Sequence, residues 1–504
     1  MNANLYAIFA ARFPADRSTC CIETHDGNYY SWSDVERASA KIANLLASLG
    51  LAPGSRVAVQ VEKSPEALIL YLATIRAGLV YLPLNTAYRQ AEIDYFLGDA
   101  EPAVMVCSPA NFGWIAQSAF KSGTKHVFTL GELHDGRNSG SLLARAAHQP
   151  DQFDTVQRSG DDLAAILYTS GTTGRSKGAM LSHRNLSSNA EVLHHAWQWQ
   201  QDDVLLHALP LFHVHGLFVA SHGALYSGSK MIFLPRFDAP QVTQLLARST
   251  VFMGVPTYYV RLLADQGFGA KACRNMRLFI SGSAPLLTET FSEFQDRAGM
   301  TILERYGMSE TVMLTSNPVD GERRGGTVGL PLPGVSVRIV DAGRNPCATG
   351  EIGDIEVKGP NVFQGYWRMP DKTAEEFTGD GYFKTGDVGR FDQDGYLSIV
   401  GRSKDLIISG GYNVYPKEIE SEIDDIEGVA ESAVIGVPHA DFGEAVNAVV
   451  VLRANARLTE DNVIQALKAR IANFKVPKRV HFVTELPRNT MGKVQKNVLR
   501  ERYG

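Results

Sequence analysis

The 504-residue sequence holds no apolar run approaching the roughly 18 residues of a membrane-spanning helix. Its N-terminus, Met1 to Leu5, lacks the basic-then-apolar profile of a secretory signal. A soluble, cytoplasmic protein with no membrane partner is expected. Cysteine is scarce: Cys20, Cys21, Cys107, Cys273 and Cys347 are odd in number and scattered. No spacing among them suits zinc, and a disulfide framework is foreign to so long a chain, so reduced thiols are expected. There is no excess of positive charge either. Lys and Arg total 49 against 54 Asp and Glu, a net charge of −5, which argues against a nucleic-acid partner. The chain also lacks repeats, low-complexity tracts and the Gly-x-x-x-x-Gly-Lys-Ser/Thr loop of phosphate-transferring P-loop enzymes. What remains is an ordinary globular composition, 44% hydrophobic, in a chain too long for one core.

Hydrophobic periodicity organises that length. Residues 32–107 alternate between helix (34–49, with Ser33 as the cap; 65–76; 91–97) and strand (57–61, 80–84, 103–107). Such alternation predicts parallel α/β layers. Residues 135–157 are polar and read as loop, and a second α/β block runs from 163 to about 318. From 329 to 409, short alternating segments are separated by Gly, Asp and Pro turns, the pattern of an antiparallel β subdomain. After 411 comes helix 416–423, strands 429–437 and 446–452, helix 460–472, strand 479–483 and a loop around Lys493. The expected fold class is therefore α/β: a large N-terminal domain of layered subdomains (1–403, with its β subdomain at about 329–403), then a small, mobile α+β domain (404–504).

The chemistry concentrates in Tyr168-Thr169-Ser170-Gly171-Thr172-Thr173-Gly174-Arg175-Ser176-Lys177-Gly178. Glycines bring backbone N–H groups close to a ligand, hydroxyls add neutral donors, and Arg175 and Lys177 add charge. That donor set suits a polyphosphate. Gly178 to Leu181 reads as extended, where a P-loop would enter a helix. Composition alone also allows a solvated Ser/Gly/Thr hairpin.

The string resembles the phosphate loop of the AMP-forming adenylate family, which includes acyl-CoA synthetases, firefly-type luciferases and peptide-synthetase adenylation domains. The resemblance covers nearly the whole chain. It extends to Ser281-Gly282-Ser283-Ala284-Pro285, to Glu304-Arg305-Tyr306-Gly307-Met308-Ser309-Glu310-Thr311, to Thr385-Gly386-Asp387, to Gly401-Arg402-Ser403-Lys404-Asp405 and to Pro487-Arg488-Asn489-Thr490-Met491-Gly492-Lys493. It implies that Ser170, Gly171, Thr172, Thr173, Gly174 and Lys177 hold ATP phosphates. Gly282, Ser283, Ala284 and the run Glu304 to Met308 would bind the nucleotide, with Tyr306 stacked near the base. Asp387 would bind the ribose and Arg402 would assist. Glu310 and Thr169 would hold Mg²⁺. Lys493 would stabilise the α-phosphate as a carboxylate attacks it, and Lys404 would be the hinge of the small domain. Gly410 and Gly411, in Ser409-Gly410-Gly411-Tyr412, would border the tunnel for CoA. The resemblance also implies control by a lysine acetyltransferase and deacetylase acting on Lys493.

The resemblance also implies three stretches around the acid pocket: His207 to Gly216, Leu234 to Asp238 and Gly254 to Thr257. A fatty-acid pocket would be apolar throughout, whereas an arginine near three histidines suggests a second carboxylate on the substrate. Residues 277–287, 304–310, 436–444 and 486–500 resemble the malonyl-CoA synthetase branch of the family. That resemblance implies malonate, with methylmalonate tolerated. Arg236, His207 and Ser281 are the expected substrate contacts. The plainer alternative makes Arg236 a surface partner of Asp238 and the histidines packing residues. His213 and His215 have the spacing of half a metal site, but no third ligand is evident. The sequence ends at Gly504 without a carrier domain, which favours free CoA over a tethered arm. Competing expectations are a ligase for another short acid and a nucleotide-binding protein without catalysis.

Overall fold

The computed structural model describes residues 2–132, 138–169, 176–409, 412–439, 443–489 and 492–504. The periodic segments form the elements they predict, with ends fixed by local chemistry. Helix Trp32–Ser48 begins at Ser31, not Ser33: the Ser31 hydroxyl accepts from Asp34 N–H at 3.1 Å, and the Asp34 carboxylate accepts from Ser31 N–H at 3.0 Å. Helix Pro65–Arg76 has Ser64 as its cap and proline at its first position, and only Glu66 on it escapes burial.

A six-stranded sheet runs in the order Lys177–Ser182, Leu163–Thr169, Val80–Pro83, Arg56–Gln60, Val104–Cys107, His126–Thr129. Every pair is parallel except the first. The segment from 163 thus completes the first sheet rather than opening a second block. The phosphate-loop stretch joins the two antiparallel strands at this sheet's edge. The polar region after 135 includes one short helix, Ser141–Ala146.

A nine-stranded sheet is built around five parallel strands in the order Ile302–Tyr306, Leu278–Ser281, Val251–Gly254, Val204–His207, Lys230–Phe233. Cys20–Thr24 extends it beside Lys230–Phe233, also parallel. Ser336–Val340, Gly353–Lys358, Phe383–Phe391 and Leu397–Arg402 form a separate antiparallel sheet, as their alternation predicts. Beyond residue 406, helix Pro416–Asp424, strands Val429–His439 and Gly443–Leu452, helix Glu460–Lys468 and strand Arg479–Val483 build a sheet with an apolar cluster on each face. Both clusters contain only residues beyond 406. Among the described residues, no helix is long and apolar enough to cross a membrane.

Pro83, Thr169, His207, Gly254, Ser281 and Tyr306 are each the last residue of a strand. In open α/β sheets, ligands bind outside the carboxyl ends of strands. The two large sheets and the C-terminal loop meet around those ends.

Candidate active site

A cleft of about 460 Å³ is lined by Thr169, Lys177, Arg305, Glu310, Arg402, Lys404 and Lys493, among others. Of the expected phosphate-loop contacts, Ser170, Gly171, Thr172, Thr173 and Gly174 lie outside the described residues, as do Arg175, Gly410 and Gly411. Lys177 is described. Its ammonium is 3.5 Å from Glu376 and stands 4.1 Å above the Tyr366 ring.

Glu310 is buried, and its Oε1 accepts from the Tyr366 hydroxyl at 3.1 Å. The Thr169 hydroxyl is 3.5 Å from the same oxygen. Burial raises the Glu310 pKa, and Arg402 and Lys177 only partly offset this. A carboxylate and a hydroxyl converging in a polar cleft, with charge still to be compensated, fit a hard divalent cation that takes most of its other ligands from phosphate and water. Tyr366 carries no motif signal, and residue type alone could not have placed it here.

Asp387 ties the antiparallel sheet to this cleft. One of its oxygens is 2.6 Å from Arg402 Nε and the other accepts from the Tyr306 hydroxyl. Each oxygen keeps a second lone pair, enough for ribose hydroxyls. Lys493 follows Gly492, whose φ of 76° turns the loop. The Lys493 N–H donates to Asn489 Oδ1 at 2.9 Å. Desolvation by the cleft walls, then the charge of Arg402, lower its ammonium pKa to about 8, although much of the residue faces the open cleft.

Two members of the Glu304-to-Met308 run, Glu304 and Arg305, are buried. Glu304 points to the backbone N–H groups of Gly326 and Leu286, the former at 3.1 Å, and burial raises its pKa to about 8. It braces a turn. Arg305, on the opposite face of the same strand, is 3% exposed. Its Nε and Nη2 have no hydrogen-bond partner among the described residues. Burial pulls its pKa down to about 9. Around it, His213 and His215 are held neutral by burial and by the guanidinium itself, His213 at about 4. The Ser283 hydroxyl lies 3.2 Å from His215 Nδ1, while Ser281 Oγ and His215 Nε2 are buried without partners among the described residues.

Backbone strain frames this cluster. Ser283 and the β-branched Val312 have φ of 71° and 53°, a region that costs non-glycine residues on the order of 1–3 kcal/mol. Gly282 is required here, because a Cβ on it would stand 2.3 Å from Arg305 Nη1. A buried guanidinium with two unspent donors is costly unless an anion joins it. The sheet alternation could have flagged Arg305, since residues 304 and 306 face away from it.

His207 is 1% exposed, and both ring nitrogens are engaged: Nδ1 with Lys63 Nζ at 2.9 Å, Nε2 with Gly216 O at 2.9 Å and Ser221 Oγ at 3.0 Å. Arg236 is exposed and lines a second cavity of about 240 Å³ together with Lys63, Tyr81, Pro210, Phe237 and Tyr258. Asp238 caps helix Ala239–Leu246. The two cavities share Pro83 and Phe212 as walls. Lys63 carried no motif signal, because Glu62-Lys63-Ser64 reads as a solvated turn before a helix.

Comparison with known proteins agrees with this geometry. The AMP-binding enzyme model matches residues 7–367, and the AMP-binding enzyme C-terminal domain model matches 418–493. The crystal structure of ATP-bound MatB from Rhodopseudomonas palustris superposes with a TM-score of 0.97 at 57% identity, covering 100% of this chain and 99% of that one. A malonate–CoA ligase of Arabidopsis thaliana is 34% identical over 99% of this chain and 89% of its own length. A feruloyl-CoA synthase of an Amycolatopsis species is 35% identical over 95% of each. With a cationic cleft at the strand ends, a buried carboxylate within it and a lysine delivered by the C-terminal loop, the chain belongs to the AMP-binding enzyme family.

Proposed function

We propose that the protein is an AMP-forming malonate–CoA ligase, converting malonate, ATP and CoA to malonyl-CoA, AMP and pyrophosphate. The observation that carries malonate is Arg305. Arg305 lines the same cleft as Lys493 and Glu310, and its guanidinium nitrogens Nε and Nη2 are buried and unspent among the described residues. A monocarboxylic acid uses its one carboxylate as the nucleophile and leaves such a cation unpaired. A diacid has a second carboxylate to give it. Arginine holds that carboxylate through two parallel hydrogen bonds, and Ser283, 3.2 Å from the neutral His215, adds a polar group to the same cleft.

In the first half-reaction the free malonate oxygen attacks the α-phosphorus, and pyrophosphate leaves. Lys493 supplies an ammonium where negative charge accumulates. Glu310 with Thr169 would hold Mg²⁺, which neutralises phosphate charge. Acylation of Lys493 by an acetyltransferase would remove the ammonium that this step needs, and deacylation would restore it. In the second half-reaction the CoA thiol attacks the carbonyl carbon and AMP leaves. Residues 403–405, a single 3₁₀ turn between strands Leu397–Arg402 and Ile407–Ser409, are the proposed hinge, because each apolar cluster lies wholly on one side of it. Lys404 sits in this turn and lines the cleft.

The second cavity suits the approach of CoA. Its walls are mostly apolar, fit for a thin arm, and Arg236 lies exposed, where phosphates would remain in water. Arg236→Ala is therefore expected to raise the KM for CoA about fivefold, the worth of one exposed ion pair near 1 kcal/mol, and to leave malonate-dependent exchange unchanged. A large loss of exchange with malonate would return Arg236 to the acid site. The activity itself is tested by ATP–pyrophosphate exchange with malonate, methylmalonate, acetate, propionate and an aryl acid, followed by thioester assay with CoA. Malonate should dominate the panel, and exchange driven mainly by a monocarboxylic acid would overturn the reading.

A further inference from the structure

The second cavity contains a group that the reaction described above leaves idle. Lys63 Nζ lies 2.7 Å from the His207 carbonyl oxygen and 2.9 Å from His207 Nδ1. The other ring nitrogen, Nε2, is 2.9 Å from the Gly216 carbonyl oxygen, which can only accept. The proton of the neutral ring therefore sits on Nε2, Nδ1 carries a lone pair, and Lys63 donates to it. Two of the three tetrahedral positions on Nζ are thus spent on His207. The third holds a proton in the ammonium and a lone pair in the neutral amine. Lys63 lines the cavity, so this third position is the one left for a ligand.

The surroundings favour the neutral amine. Burial lowers the Lys63 pKa well below the ordinary lysine value, and no carboxylate offsets it. Against this, the Phe233 ring centre lies 4.5 Å from Nζ and attracts an ammonium, an interaction smaller than the cost of burying an unpaired charge. Tyr81 and Tyr258 line the cavity as phenols that burial keeps protonated, and Arg236 adds positive charge. Glu62 is the one carboxylate among the lining residues, and it is exposed.

We propose that Lys63 is the general base that takes the proton from the CoA thiol as its sulfur attacks the acyl-adenylate. The S–H bond breaks and its proton moves to the Nζ lone pair. The sulfur electron pair forms the C–S bond, and the bond from the carbonyl carbon to the phosphate oxygen breaks. AMP departs with that pair, and the ammonium later returns its proton to water. No other reactant is needed. The demand is real, because an unperturbed thiol titrates near 8.5 and is only a few per cent ionised at pH 7. The inference rests on the reading of this cavity as the path of CoA.

The test separates the half-reactions. Wild-type enzyme, Lys63→Gln and Lys63→Arg are loaded with malonyl-adenylate in the presence of pyrophosphatase, then mixed with CoA in single turnovers from pH 6 to pH 10. Glutamine keeps a donor toward His207 and arginine keeps the charge, but neither offers a basic lone pair. Pyrophosphate exchange should persist in both variants, which verifies their folding. Thioester formation at pH 7 should fall about a hundredfold in both, within the usual range for general-base catalysis. The deficit should shrink about tenfold per pH unit as the thiol ionises by itself. A thioester rate at pH 7 that arginine restores, with only the KM for CoA altered in the glutamine variant, would make Lys63 a phosphate contact and sink the proposal. So would a pH-independent deficit. A wild-type enzyme that forms adenylate but no thioester would instead overturn the CoA reading beneath it.

Discussion

Replacing Arg305 with leucine is expected to reduce kcat/KM for malonate by a factor between about a hundred and a few thousand. The loss corresponds to the roughly 3–5 kcal/mol of a buried charge pair deprived of one partner. It should be selective. Propionate and acetate have no second carboxylate to lose, so their weak exchange should hold or rise, and the ratio of malonate to propionate use should collapse. The stability of the ligand-free protein gives an independent check. Arg305 Nε and Nη2 are buried without partners among the described residues, and burial has already drawn its pKa to about 9. Removing an uncompensated buried charge in favour of an apolar side chain is often neutral or stabilising. The melting temperature without substrate should therefore not fall, while its rise on adding malonate should disappear. A variant that melts early and loses exchange with every acid alike would place Arg305 in the scaffold rather than in recognition of a diacid.

Local grammar made much of this fold legible. Ser64 followed by Pro65 fixes one helix start, and the Gly, Asp and Pro turns between 329 and 409 delimit the antiparallel strands. Sheet order was not legible in the same way. Nothing in Cys20–Thr24 announces that its neighbour is Lys230–Phe233, because strand pairing across two hundred residues leaves no local mark. The same distinction governs the site. Glu310 and Lys493 sit in motifs whose function depends on a short run of chain, and both line the cleft. The proposed acid pocket would draw on separate strand ends, so its polar residues could be collected from the sequence but not oriented. Arg236 and Arg305 were both visible as arginines. Burial, a property of the folded surroundings, distinguishes the exposed one from the one with unspent donors. The same holds for His207, whose hydrogen-bond partner Lys63 lies 144 residues away in the chain.

Neutralising Lys493 should act on one half of the reaction only. In Lys493→Met, malonate-dependent pyrophosphate exchange is expected to fall about a hundred- to a thousandfold, the usual cost of removing one preorganised donor from a charge-accumulating centre. Thioester formation from added malonyl-adenylate should continue, since that step sheds AMP and builds no charge on an attacked phosphorus. The wild-type pH dependence carries the same signature with a defined sign. Desolvation by the cleft and the neighbouring Arg402 bring the free-enzyme ammonium to about 8. The lysine is therefore charged at pH 7 and loses its proton as pH rises, so kcat/KM for exchange should decline above about pH 8. Bound polyphosphate favours the ammonium and raises its pKa, so kcat should hold to a higher pH than kcat/KM. Both limbs should be absent from the methionine variant. If they survive there, another group is titrating, and Lys493 is not the cation on which adenylation depends.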